Sequence, residues 1–276
     1  MSSQVGKFYD AVRNGRVSEV SSLLSAHPGL DVNWVNTSDY HYTALHRAAL
    51  NNHVEVVKLL LAHPDINVNV QSVYGYTPFS YSCGSANTIL VAQVLLKDPR
   101  VDVTLDDNNG QTPLWFACRN GFREMVERLI ASGRDLGDIK NKKGKNREDG
   151  EGHTVLEIAR KKRRREIVKL LERFIANPAQ TRHEVRVKLG VLDELAAEVF
   201  ALTVFLCDDL LQLKPALTTT TPASAATTRF CVIISKLPME LQMVLCHRVF
   251  GSVRQNILRK DSEAAFKLLA GILLSS

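Results

Sequence analysis

A unit of about 35 residues recurs along this chain, and that recurrence limits the available folds more than any other feature. His27-Pro28-Gly29-Leu30-Asp31-Val32-Asn33 lines up with His63-Pro64-Asp65-Ile66-Asn67-Val68-Asn69 and with Asp98-Pro99-Arg100-Val101-Asp102-Val103-Thr104. The three prolines are 36 and then 35 residues apart. A second element alternates with these loops. Thr43-Ala44-Leu45-His46, Thr77-Pro78-Phe79-Ser80, Thr112-Pro113-Leu114-Trp115 and Thr154-Val155-Leu156-Glu157 begin at intervals of 34, 35 and 42 residues. A threonine in that place is a good helix N-cap, because its hydroxyl accepts an otherwise unbonded backbone N–H. Proline just after it is preorganised for the first helical turn.

A second helix follows each start. Glu55-Val56-Val57-Lys58-Leu59-Leu60-Leu61 matches Glu124-Met125-Val126-Glu127-Arg128-Leu129-Ile130 and Glu166-Ile167-Val168-Lys169-Leu170-Leu171-Glu172, with apolar residues at helical spacing. Leu90 to Leu96 aligns after a one-residue insertion, and Ala11–Leu24 reads as an atypical first copy without the Thr start, as expected of a cap. One such pair of short helices cannot bury its apolar face alone. Neighbouring pairs must complete the core, which predicts an α-solenoid.

These residues resemble the ankyrin repeat, whose signature is T-P-L-H-x-A. The resemblance covers roughly residues 5–176 as about five repeats. It implies an all-α chain with β-hairpin loops, in which hairpin tips and first helices bind another protein. The signature histidine survives only as His46; Ser80, Trp115 and Glu157 replace it, so its hydrogen bonding is in question in three repeats. A Lys/Gly/Asn-rich insertion between Asp138 and Glu151 lengthens the last hairpin and reads as mobile.

The residues ahead of each Thr start are the candidate partner-binding positions. They are Trp34, Asp39, Tyr40, His41 and Tyr42, then Ser72, Val73, Tyr74 and Tyr76, then Asp106, Asp107, Asn108 and Gln111. Tyr and Trp dominate interface hot spots because they supply large contact area at low entropic cost. Trp115, in the signature histidine position, has a contact reading beside a packing reading.

Charge is concentrated in one window. Residues 134–173 hold 14 Lys/Arg against 8 Asp/Glu, whereas residues 1–133 hold 10 against 12. Arg160, Lys161, Lys162, Arg163, Arg164 and Arg165 run consecutively at the expected turn between the last two repeat helices. Lys140, Lys142, Lys143, Lys145 and Arg147 lie in the insertion before them. Six adjacent cations repel one another, so the run does not read as a stability device. It reads as a solvated face, as a signal for an import receptor, or as a site for a polyanion such as nucleic acid or acidic phospholipid.

Repeats 1–178 are expected to be followed by a helical C-terminal region, 179–276, with a disordered Thr/Ser/Ala/Pro linker near 215–229. Asn177-Pro178 marks a helix stop, and Val185–Leu213 reads as one long amphipathic helix. That tail resembles those of uncharacterised fungal ankyrin-repeat proteins, which adds no activity. Leu237-Pro238-Met239-Glu240-Leu241 followed by Val244-Leu245 loosely resembles the opening of an F-box, so 237–250 implies an alternative role as a ubiquitin-ligase substrate receptor.

The sequence carries no P-loop, G-x-G-x-x-G, G-x-S-x-G or H-E-x-x-H, and no enzyme, cofactor or metal is expected. Five scattered cysteines without a Cys-x-x-Cys read as reduced thiols in a cytoplasmic or nuclear setting. No signal peptide is expected. No membrane span is expected either: Asp193, Glu194, Glu198, Asp208 and Asp209 interrupt the most apolar stretch.

Overall fold

A computed structural model describes residues 2–207, 242–246 and 265. The chain divides into two compact units, residues 1–182 and 183–276.

The first unit is a solenoid of helix pairs. Helices α1 (Ser2–Arg13) and α2 (Val17–Ala26) form the first pair, α3 (Ala44–Leu50) and α4 (Val54–Ala62) the second, and α5 (Pro78–Cys83) and α6 (Ile89–Lys97) the third. Helices α7 (Pro113–Asn120) and α8 (Arg123–Ser132), then α9 (Val155–Lys161) and α10 (Arg165–Ala176), complete the stack. First helices pack in sequence, α1 on α3, α3 on α5, α5 on α7 and α7 on α9. Second helices do the same, α2 on α4, α4 on α6, α6 on α8 and α8 on α10. The core runs between these rows and draws on every pair, with Val12, Leu45, Leu60, Phe79, Leu95, Leu129 and Ile158 fully enclosed.

All four phased threonines cap first helices. The hydroxyls of Thr43, Thr77, Thr112 and Thr154 accept the backbone N–H of His46, Ser80, Trp115 and Glu157. The varied signature position is bonded in each case. Ser80 Oγ accepts from Thr77 N at 2.8 Å and Glu157 Oε2 from Thr154 N at 2.8 Å, closing capping boxes. His46 Nε2 donates to the Tyr76 carbonyl of the next hairpin at 3.0 Å while its Nδ1 accepts from Thr43 N. Trp115 Nε1 donates at 2.9 Å to the carbonyl of His153, the residue just before the next Thr cap, as Tyr76 is. The indole thus makes the same inter-repeat bond as the imidazole. The proline-led loops are laddered as well: Asn33 bonds Asp65 O and Asn67 N, and Asn69 bonds Arg100 O and Asp102 N.

Burial pushes the His46 pKa down to about 4, helped by the charge of Arg47 and opposed by the bond to Tyr76. Its unfolded value is about 6.5, so the unfolded chain binds the proton first. Stability is then complete above about pH 6.5, declines as pH falls towards 4, and levels off below, with about 3 kcal/mol at stake. His46→Ser, copying Ser80, is expected to flatten that part of the pH–stability curve in urea titrations. A variant curve parallel to wild type would contradict it.

The hairpins carry little regular strand. The first has a single bridge, Asn36 to Tyr42, and the inserted one pairs β1 (Gly144–Lys145) with β2 (Gly152–His153). The middle two close by backbone bonds from Ser72 N to Tyr76 O and from Asp107 N to Gln111 O, each with a turn bond from Gly75 N to Ser72 O or Gly110 N to Asp107 O. The insertion is tied down at several points: Lys145 N donates to Asn109 O at 2.8 Å, Gln111 Nε2 to Lys145 O, and Asn146 N to Glu151 O at 2.8 Å.

From Pro178 on, the expected long helix is two. Helix α11 (Pro178–Leu189) begins on the proline after Asn177, and α12 (Val191–Cys207) follows Gly190, whose φ of +71° breaks the helical path. Ala197 and Ala201 of α12 cluster with Ala265. Of the F-box-like segment 237–250, only 242–246 is described, as helix. The expected linker 215–229 lies outside the described residues. Among the described residues, no helix is long and apolar enough to cross a membrane.

Candidate functional site

The hairpin tips form one hydrogen-bonded row. Val73 N donates to Tyr40 O, Asn108 N to Tyr74 O, and Lys145 N to Asn109 O, so each tip rests on the one before it. Gly75, at φ +81°, fits this contact because any Cβ would lie 2.6 Å from Asn108 N. Gly110 occupies the same place in the third tip, again at positive φ. In the first tip that place belongs to His41, and Tyr40 and His41 are both left-handed, at φ 51° and 59°. Side-chain-bearing residues resist that region, and such residues concentrate at functional sites.

The tips present an exposed apolar patch. Tyr40 is 54% exposed, Val73 46% and Tyr74 42%, and the Tyr40 and Tyr74 rings lie 5.7 Å apart. His41 and Asn108 are exposed beside them. Beneath the patch lies a continuous aromatic layer. Tyr42 and Tyr81 share a hydroxyl hydrogen bond of 2.6 Å, and Tyr76 packs on Tyr81 and Phe116 at 4.6 and 5.3 Å.

Other sequence candidates are buried, or make contacts within the scaffold. Trp115 is 1% exposed, in the core, so its contact reading is corrected to packing: its ring fills the space between α7 and the inserted hairpin. Asp107 is buried and accepts the Asn109 and Gln111 backbone N–H groups, which shapes its turn. Asp39 bonds Arg47 Nε at 2.6 Å and Tyr9 Oη at 2.7 Å, while Trp34, partly exposed, packs edge-on against Tyr9. Burial opposes ionisation of Asp39, but the bonds from Arg47 and Tyr9 prevail and hold its carboxyl below the usual range. Tyr76 is half-buried, and Asp106 pairs with Lys142 at 3.1 Å. Arg47 and Tyr81 were not singled out from sequence. Each lies four residues after its Thr cap, the place of Phe116 in the next repeat.

The basic run is partly neutralised by ion pairs on the surface. Lys161 pairs with Asp149 and Lys162 with Glu148, both on the inserted hairpin, and Arg160 pairs with Glu172 at 2.6 Å. Lys143 and Lys145 are exposed on that hairpin. Asp149, Glu151 and His153 gather possible ligand atoms within 4.8 Å, but the Lys161 ammonium already bonds Asp149 and lies 3.3 Å from His153 Nε2. The group is an ion-pair cluster with its cation supplied by the chain.

A family model for ankyrin repeats, in three copies, matches residues 8–107 and 85–180. The SMC5-SMC6 complex localization factor protein 1 of Homo sapiens is 49% identical over 49 residues, which is 18% of this chain and 5% of that protein. Its Bos taurus counterpart is 42% identical over 60 residues, 22% of this chain and 6% of that protein. The chain thus matches only a small part of these relatives' length.

Proposed function

The chain belongs to the ankyrin-repeat family, and from that premise we propose that it is a non-catalytic scaffold or adaptor holding a partner protein against its hairpin tips and first helices. Ankyrin repeats are protein-interaction modules, and their stacking leaves the tips free of the core. The observation that carries the reading is the Tyr40–Val73–Tyr74 patch, large apolar side chains left in solvent on two hydrogen-bonded tips. Aromatic residues so placed anchor interfaces. Asp39, His41, Tyr76, Asp106 and Asn108 would form the polar surround, with Trp34 at its edge.

A cytoplasmic or nuclear site of action goes with this proposal; Cys83 and Cys118 are free and buried, their thiol pKa values raised by that burial. The human and bovine relatives are named for localising the SMC5-SMC6 complex, which makes that complex a partner to test. Affinity capture with the full chain tests the proposal. Val73→Arg, which puts bulk and charge at the tip, is expected to lose specific partners that wild type retains. An unchanged partner set on a folded Val73→Arg chain would overturn the tip surface.

A further inference from the structure

Away from the tips, the turn between α9 and α10 holds a cleft of about 350 Å³ lined by Arg160, Arg163, Arg164, Arg165, Val168 and Lys169. We propose that this notch binds a phosphate-bearing anion.

Three of its cations are already engaged. Arg160 pairs with Glu172 at 2.6 Å, Lys169 meets Glu166 at 3.4 Å, and Arg164 Nε donates to Arg119 O at 3.3 Å. Arg163 and Arg165 are exposed, and among the described residues no carboxylate meets either side chain. The remaining acids nearby are spent elsewhere: Glu148 and Asp149 hold Lys162 and Lys161. Two unpaired guanidinium groups beside three other cations are a strongly positive concavity. A guanidinium fork matches the spacing of phosphate oxygens and bonds them bidentately. Helix α10 also starts here, with Arg164 as its N-cap, no side-chain cap hydrogen bond, and Glu166 in its first turn.

The backbone points to the same residue. Four turns between paired helices share one geometry. Arg16, His53, Phe122 and Arg164 donate their N–H groups to Ala11, Ala48, Ala117 and Ala159, and the residue before each donor is left-handed. That residue is Gly15, Asn52, Gly121 and Arg163. Glycine and asparagine suit the position; arginine opposes it. Arg163 therefore costs stability in its backbone and repels its neighbours, while among the described residues no carboxylate meets its charge. A ligand for that charge accounts for both. The notch lies at the opposite end of α9 from its Thr154 cap, about 10 Å along the helix, where the inserted hairpin folds back to pair with Lys161 and Lys162.

Titration of the full chain with tripolyphosphate, read by calorimetry, tests the proposal, with phosphatidylserine-containing vesicles as a second arm. Wild type is expected to bind tripolyphosphate saturably. Arg163→Gly and Arg165→Gln should each weaken binding about tenfold, while Lys7→Gln, the same charge change at an exposed site elsewhere, should alter it less than twofold. Arg163→Gly should also raise the Tm by about 2–4 °C, since it relieves the left-handed strain. Vesicle binding that tripolyphosphate displaces identifies a lipid headgroup as the source; tripolyphosphate binding without vesicle binding identifies a soluble phosphate. No saturable binding, or equal weakening by Arg163→Gly and Lys7→Gln, overturns the proposal. So does capture of an import receptor through Lys161 and Lys162 by a chain that binds neither anion.

Discussion

Trp115→Ala is expected to destabilise the repeat unit by about 3–5 kcal/mol, a large part of the total stability of a typical domain. The indole is 1% exposed and makes an edge-on contact with Phe116, 5.8 Å between centroids. Its removal leaves a cavity under the inserted hairpin and strips the His153 carbonyl of its donor. Because stability in a solenoid passes between neighbouring repeats, the loss should spread from α7 to α9 and the hairpin between them. Trp115→Phe keeps most of the apolar volume and removes only the N–H, so its cost should fall to about 1–3 kcal/mol. Urea unfolding followed by circular dichroism measures both. A Trp115→Ala chain within 1 kcal/mol of wild type, set against the roughly 3–5 kcal/mol expected, would mean that the ring does not occupy the core.

The double replacement Tyr40→Ala with Tyr74→Ala should do the reverse. Tyr40 is 54% exposed and Tyr74 42%, outside the core, so stability should change little. Partner affinity should fall by about 3 kcal/mol, a little over a hundredfold, if each ring alone is a hot spot of about 2 kcal/mol. The rings touch at 5.7 Å, so the single variants should not add: each should take more than half of the combined loss. Affinity measured against the captured partner, with thermal melts in parallel, separates the outcomes. Equal loss of stability and affinity would make these rings packing residues.

Most of the solenoid was legible because its signals are local and repeated. A threonine caps a helix by its own hydroxyl, and a proline fixes its own φ, so Thr77-Pro78 and Thr112-Pro113 mark helix starts wherever they fall. The exposed tip residues followed from the same phasing. Contacts between repeats were not legible. The place of Trp115 depends on the His153 carbonyl 38 residues on, and the pairing of Lys161 and Lys162 depends on how the insertion folds back along α9. The Asp39–Arg47–Tyr9 group joins three separate elements. A weak signal existed for Arg47 and Tyr81, four places after their caps, where with Phe116 large non-aliphatic side chains stand in three of the four repeats. Gly190 was a missed break, since apolar spacing on either side continues through it.

Amide hydrogen exchange on the full chain, with and without its captured partner, is the most direct examination of the binding surface. Slowed exchange should appear at 36–42, 72–76 and 106–111 and along α3, α5 and α7. Protection confined to α4, α6 and α8, with the tips unchanged, would place the partner on the opposite row of helices and contradict the account.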